Sequence, residues 1–367
     1  MKRALFVVLT DHPGGAEQVA CSLARALSQR PGWTVEFRVL AAKAEPSFSA
    51  TRLPSEVRRD YGWSRSPLAG LLTLPIKLAS TRYSLVFTTH LYSSAIAMLH
   101  RRLVPSAGSR FVTRESTTIF DLFKGKRRAL AVWLYRGYGP QDLAIVQTSY
   151  MAEHLEPYLS ERACRRVRVL ENPVGLAVID RAFEECLNEQ VILQLQRRRS
   201  ILFCGSLIER KNPRLAIETF LRLRQRLTDD VQLVFMGAGP LRAALEAQAD
   251  AMGVADLVIF LGQQSNPYAI MRHCEFGLLT SLREGFPNVV LEMMACGIRK
   301  IVMTPCAGDL DTLTGVTVTE DFSASSLSDA LAEAIRSGED CSATYRAVVE
   351  GRSVDRYLDA VLGETPE

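Results

Sequence analysis

Twice along its 367 residues the chain runs through the same rhythm: a short continuous apolar run, a turn, then a stretch with apolar residues at helical spacing. Uninterrupted apolar strands alternating with amphipathic helices predict a parallel sheet covered on both faces. The first series holds Ala4–Leu9, a helix over Ala16–Leu27, then Val35–Leu40, Ser84–Thr89, Arg110–Thr113 and Leu143–Gln147. The pattern pauses near Leu170–Val174 and restarts with a strand at Ser200–Cys204, a helix at Pro213–Leu227 and a strand at Gln232–Met236. It continues with a helix at Pro240–Met252, a strand at Val258–Leu261 and a helix at Tyr268–His273, then strand Phe276–Thr280, helix Asn288–Cys296 and strand Lys300–Thr304. The fold class expected is α/β, with two doubly wound, Rossmann-like domains at 1–173 and 174–351. A last helix over Arg352–Leu362 places Val354, Tyr357, Leu358 and Val361 on one face.

Charge divides along the same line. Residues 1–172 carry a net charge of +12 and the remainder −8. A basic half suits an anionic partner, or is simply a solvated surface. Segment 52–82 mixes Arg58, Arg59, Arg65, Lys77 and Arg82 with Tyr61, Trp63 and several leucines, which fits a membrane-surface element or an ordinary surface helix. The apolar stretches at the N-terminus and at Pro67–Ala79 are too short for a signal-peptide core or a membrane span, so a cytoplasmic location is expected, peripheral on the inner face of the membrane. Eight cysteines, including Cys186 and Cys204, form no CxxC pair and read as buried free thiols.

Four features carry candidate chemistry. In TSLREGFPNVVLEMMACG a loop with Glu284, Gly285 and Phe286 leads into a helix opened by Pro287 and Asn288, with Glu292 in its early turns. Backbone N–H groups at a helix N-terminus make an anion site, and carboxylates beside it need hydrogen-bond donors such as sugar hydroxyls. In FCGSLIERKN a strand ends at a glycine and Lys211 follows, within reach of a phosphate at a strand's carboxyl end. Gly14 and Gly15 lie between the first strand and first helix, and His90 ends the strand Ser84–Thr89. Taken singly, each has an ordinary reading: a capped helix, a solvated lysine, a turn, a surface histidine. All four fall at carboxyl ends of strands, where open α/β sheets bind ligands.

At these residues the chain resembles family 4 of the glycosyltransferases. The likeness is strong over Ser200–Gly308, moderate over Met1–Leu27 and thin over Ala41–Ser80. EGFPNVVLEMMACG is similar to the family's E-x7-E signature, FCGSLIERKN to its GRL…K loop, and FMGAGPL with VIFLGQQSNPYAIMRHCEFGLLTS to the stretch between them. The resemblance implies the GT-B fold, two Rossmann-like domains facing a central cleft. The first would bind the acceptor, the second the nucleotide sugar, and helix 352–367 would pack back on the first. It implies retaining hexosyl transfer by front-face displacement; no DxD motif is placed as a metal site, so neither a metal nor a tightly held cofactor is expected. Glu284 would contact donor-sugar hydroxyls, Glu292 the ribose and Lys211 the diphosphate. Gly285, Phe286 and Asn288 would offer backbone donors, and backbone near Gln263 would read the base. Gly15 would approach the leaving diphosphate, with His90 beside the donor sugar. Ser206 stands among the donor-binding residues where the family usually has arginine, and Arg210 is its candidate substitute.

The implied partners are a nucleotide sugar, UDP favoured over GDP, and a glycan or lipid-linked acceptor of envelope polysaccharide or lipopolysaccharide synthesis. An anionic membrane surface joins them; nucleic acid is not expected. A nucleotide-sugar 2-epimerase of the same fold, or a non-catalytic sugar-nucleotide or nucleic-acid binding protein, would share many of these features. A NAD-dependent dehydrogenase would need GxGxxG after a strand, which is absent.

Overall fold

A computed structural model of the chain describes every residue except 13, 46, 105–107, 118, 185–188, 228–229, 311–312 and 365–367, and the side chains of 121 and 122. Cys186 and the end of segment 352–367 lie outside the described residues. The seven described cysteines are free thiols, most of them buried. The chain forms two compact units: Met1–Pro173 with Arg352–Glu367, and Val174–Gly351.

The first unit is built on seven strands: β1 (Lys2–Val8), β2 (Trp33–Val39), β3 (Arg58–Tyr61), β4 (Leu85–Thr89), β5 (Arg110–Arg114), β6 (Leu143–Val146) and β7 (Val167–Val169). They pair in parallel in the order β3-β2-β1-β4-β5-β6-β7. The second unit has β8 (Arg199–Cys204), β9 (Val231–Met236), β10 (Val258–Gly262), β11 (Phe276–Leu279), β12 (Lys300–Met303) and β13 (Thr317–Val318). These are also parallel, in the order β10-β9-β8-β11-β12-β13. Each sheet is covered on both faces: two hydrophobic clusters occupy each unit.

The central strands follow their apolar runs. Ala4 to Val8 and Val231 to Met236 are buried throughout. Three strands absent from the sequence reading, β3, β7 and β13, are all sheet edges. Their sequences, RRDY, VRV and TV, are mostly accessible. An edge strand lacks the two-sided burial that produces a continuous apolar run, so its signal is weak. Pro287 caps the helix Asn288–Ala295 rather than opening its first turn.

The helix Val354–Leu362 belongs to the first unit. Tyr357, Leu358 and Val361 enter the same core cluster as Val19 and Leu23 of helix Gly15–Ser28. Arg30 secures it with contacts of 2.6 Å to Asp359 and 3.0 Å to Glu364.

Strand order reverses at β1/β4 in one sheet and at β8/β11 in the other. The loop after β8 is fixed by backbone alone: Gly205 N donates to the Met236 carbonyl at 3.0 Å and Leu207 N to the Ala238 carbonyl at 2.9 Å. This approach demands glycine opposite. A Cβ at Gly237 would strike the Gly205 carbonyl oxygen, and one at Gly239 the Leu207 carbonyl oxygen. Gly237 also sits at φ +144°. Gly239→Ala should therefore destabilise the second unit by more than about 1 kcal/mol, as a residue that the native backbone cannot accommodate. Gly351→Ala, where φ is −65° and the contacts are ordinary, should shift the unfolding midpoint little. Equal midpoints for the two variants in urea denaturation would contradict the close-approach account.

Candidate active site

The sheet reversals decide which loops can meet. In the second unit, β8 and β11 are neighbours whose connections leave in opposite directions. The loop after β8 carries Ser206, Arg210 and Lys211; the loop after β11 carries Glu284, Gly285 and Phe286. They are tied together by backbone first. Leu282 N donates to the Arg210 carbonyl at 2.9 Å, and Thr280 Oγ1 lies 3.1 Å from the Lys211 carbonyl and 2.8 Å from that of Asn212. Asn212 takes a left-handed conformation, φ 47°, between the short helical turn Glu209–Lys211 and helix Pro213–Arg226.

On this frame stands a charged cluster. Lys211 Nζ donates to Glu284 Oε1 at 2.5 Å, and Arg210 Nη1 donates to Glu284 Oε2 at 2.9 Å and to the Arg283 carbonyl at 3.1 Å. The Glu284 carboxylate is 8% exposed, Lys211 16% and Arg210 47%. A nearly buried carboxylate requires such partners. Two cations against one carboxylate leave one positive charge in excess, with Arg210 at the open side. The Lys211 methylenes run beneath Gly205, 3.9 Å from the position a Cβ would take there. Glu284 N donates to the Cys306 carbonyl at 2.7 Å, which fixes the loop from β12's side.

Glu292 lies in helix Asn288–Ala295, where Tyr268 OH is 3.4 Å from its Oε1. Burial, followed by the field of Glu292, raises the Cys204 thiol pKa, so Cys204 is a buried thiol rather than a nucleophile. Gly285, Phe286 and Asn288 share the loop and first helical turn with Glu284. Gln263 is exposed and stands apart, at the end of β10. Thus Arg210, Lys211 and Glu284 converge directly, Ser206 shares their loop, and Gln263 lies two strands away.

The first unit repeats the arrangement at β1/β4. Gly15 begins the helix after β1, and His90 ends β4 at φ 68°, capping helix Leu91–Leu103. A histidine at positive φ is uncommon and is held here by its amide, which donates to the Arg114 carbonyl at 3.2 Å. Glu17 joins the two loops: its Oε1 lies 3.7 Å from His90 Nε2 and accepts from Thr10 Oγ1 at 3.3 Å. Glu17, 8% exposed, is not among the residues singled out from the sequence. Its signal is position, two residues after the paired glycines Gly14 and Gly15.

Glu115, just after β5, was also missed. Its carboxyl is fully buried and accepts from Tyr138 OH at 2.6 Å. Burial raises its pKa above 4.5, against the opposing pull of the Tyr138 and Tyr135 hydroxyls, His90 and Arg114. Among the described residues no group of three or more His, Cys, Asp or Glu is placed to hold a metal ion.

Two loop pairs carrying charged side chains, each at the reversal of a doubly wound parallel sheet, define a protein of two α/β units with a candidate ligand site at the carboxyl ends of its strands. Family comparison gives that class a name. The Glycosyltransferase Family 4 profile matches residues 13–178 and the Glycosyl transferases group 1 profile residues 198–337. The chain belongs to these glycosyltransferases, and its fold is GT-B. A Campylobacter jejuni N-acetylgalactosamine-N,N'-diacetylbacillosaminyl-diphospho-undecaprenol 4-alpha-N-acetylgalactosaminyltransferase is 38% identical over 96 residues, 26% of this chain and 25% of that protein. An uncharacterized glycosyltransferase of Methanocaldococcus jannaschii is 24% identical over 46% of this chain and 41% of its own. The chain thus matches less than half the length of these curated relatives. Anabaena HepE, solved with UDP-glucose, superposes with a TM-score of 0.79 at 15% identity over 99% of both chains. WaaG, a glycosyltransferase involved in lipopolysaccharide biosynthesis, gives 0.74 at 16% identity over 98% of this chain and 100% of its own.

The buried Glu115 generates a pH prediction. A carboxyl whose folded pKa lies above its unfolded value stabilises the fold below the unfolded value, and that contribution is lost as pH rises through the folded one. Glu115→Gln keeps an acceptor for Tyr138 and removes the titration. The variant should melt higher than the wild type at neutral pH, and the gap should close as pH falls towards 4.5. A gap independent of pH between those limits would mean that Glu115 is ionised in the fold.

Proposed function

We propose that the chain is a retaining, nucleotide-sugar-dependent hexosyltransferase acting on a glycan or lipid-linked acceptor in bacterial envelope polysaccharide or lipopolysaccharide synthesis. The observation that carries this reading is the Glu284 carboxylate held between Lys211 and Arg210 at the β8/β11 reversal. A carboxylate placed there purely for phosphate binding would be counterproductive. One placed to accept sugar hydroxyls, with cations beside it for the diphosphate, serves both halves of a nucleotide sugar. Each Glu284 oxygen retains acceptor capacity beyond its cation contact. Neighbours solved with UDP and UDP-glucose favour UDP, and relatives named for diphospho-undecaprenol substrates favour a lipid-linked acceptor.

On this reading the donor lies on the Val174–Gly351 unit. Lys211 and Arg210 neutralise the diphosphate, with Ser206 beside it and Arg210 supplying the guanidinium. No metal is called on. Backbone donors at Gly285, Phe286 and Asn288 orient sugar and phosphate, Glu292 takes the ribose, and backbone at Gln263 meets the base. Gly15 and His90 keep the roles implied by the family likeness. The bond from the anomeric carbon to the phosphate oxygen breaks as the acceptor oxygen attacks from the same face. The acceptor proton passes to the leaving phosphate. Catalysis is then positioning and charge stabilisation.

Incubation with a panel of nucleotide sugars, read for hydrolysis or transfer and for the product anomer, tests the reading; an inverted anomer or no turnover of any donor would overturn it. Glu284→Ala should abolish most transfer yet keep UDP affinity equal to or tighter than wild type, because it leaves Lys211 and Arg210 without their carboxylate. Wild-type transfer by the purified variant would remove Glu284 from the site. Lys211→Ala should weaken UDP binding by about ten- to a hundredfold, the worth of a charge-assisted contact of roughly 1.5–3 kcal/mol. Uridine binding should change little. Calorimetry showing equal losses for UDP and uridine would reject the phosphate role.

A further inference from the structure

The helix Pro67–Ser80 is apolar on both sides. Leu71, Leu74 and Leu78 enter the first unit's core. Leu68, Leu72 and Ile76, spaced four apart, point the other way and are 63%, 77% and 69% exposed. Its one charged residue, Lys77, is turned from that face: Nζ contacts Glu36 Oε1 and lies 3.4 Å from Asp60 Oδ2. A surface helix normally carries its polar residues where these leucines stand.

The face extends over two further helices. Leu91–Leu103 packs beside Pro67–Ser80, and Gly125–Tyr135 beside Leu91–Leu103, all three on one side of the sheet. The second exposes Leu99 and Leu103, the third Leu130 and Trp133, the tryptophan at 66%. Isolated exposed apolar residues need no explanation, but an array across three adjacent helices marks an interaction surface.

Charge identifies the partner. Arg102, Lys124, Lys126, Arg127, Arg128 and Arg136 are exposed on or beside the second and third helices. No Asp or Glu occurs between Asp60 and Glu115, nor between Asp121 and Asp142. The three helices therefore carry no acidic residue, and cations lie on and beside two of them; exposed Glu153 and Glu156 fall beyond, on the neighbouring segment that Arg128 reaches through Tyr158. A second copy docked here through a two-fold axis would set this cationic border against itself. An anionic bilayer offers the complement to both parts. Among the described residues no helix is long and apolar enough to cross a membrane.

We propose that this three-helix face of the first unit docks on an anionic lipid bilayer, with Leu72, Ile76 and Trp133 entering the interface and the Lys126–Arg128 run lying over the headgroups. The sequence segment 52–82 contributes only one of the three helices; its Arg58–Tyr61 portion is edge strand β3. The proposal rests on the surface alone and is independent of the transfer reading.

Flotation of the full chain with vesicles of phosphatidylglycerol and phosphatidylethanolamine, against phosphatidylcholine vesicles, tests it. The wild type should float with the anionic vesicles and Trp133 fluorescence should shift to the blue. The Leu72→Ser, Ile76→Ser, Trp133→Ser triple variant should lose at least about tenfold in partitioning, as exposed apolar anchors removed from the interface. Lys126→Gln, Arg127→Gln, Arg128→Gln should lose about fivefold per charge at low salt and less at high salt. An unchanged melting temperature and unchanged far-ultraviolet circular dichroism would show that both variants are folded. Three outcomes would overturn the proposal: flotation of the apolar variant like the wild type, no flotation of the wild type at low salt, or a wild-type dimer that the apolar variant splits, which would assign the face to a second copy.

Discussion

A parallel sheet that winds outward in both directions from its first strand has to leave one gap. Crossovers from β1 and from β4 depart to opposite sides, as do those from β8 and β11, so neither crossover covers the carboxyl ends at the reversal. Every candidate residue that converges with another in this protein does so at one of these two gaps. Backbone contacts then fix the loops before any side chain is placed. The Gly205–Leu207 segment lies directly against Gly237 and Gly239, and the β11 loop is pinned to Arg210 and Cys306 by amides. Rigid loops allow three charged side chains to share a small space at defined distances.

Electrostatics at the two gaps differs in sign. Glu284 balances only one of two cations, which leaves the second unit's gap attractive to phosphate. In the first unit Glu17 is buried beside His90, with Glu115 further in, its pKa raised by burial. One gap therefore carries positive charge in excess, while the other holds two buried carboxyl groups.

Much of this was legible in the sequence because burial on both faces leaves an uninterrupted apolar run. β1, β9 and β11 announce themselves in that way, and β3, β7 and β13 do not, since each has a neighbour on one side only. The loop residues Lys211 and Glu284 were legible through their motifs. Their direct contact was not, because residues 73 apart in the chain meet only when β8 and β11 become neighbours. Glu17 and Glu115 were hidden for a related reason. An acid in a helix's first turn, or at a strand end, looks solvated until the surrounding strands bury it. The outward leucines of Pro67–Ser80 were read as part of an amphipathic helix, yet both of its faces are apolar.

The last helix, Val354–Leu362, supplies Tyr357, Leu358 and Val361 to the core of the first unit. The second unit is therefore an insertion within the first, entered after Pro173 and left at Arg352. A chain made from its N-terminus exposes its segments in order, and domains generally fold as they become complete. Here all of Val174–Gly351 precedes in the chain the three apolar side chains that complete the first unit's core. The half that carries the charged Glu284 cluster is thus contiguous in sequence, whereas the other half closes its core only across the whole length of its neighbour.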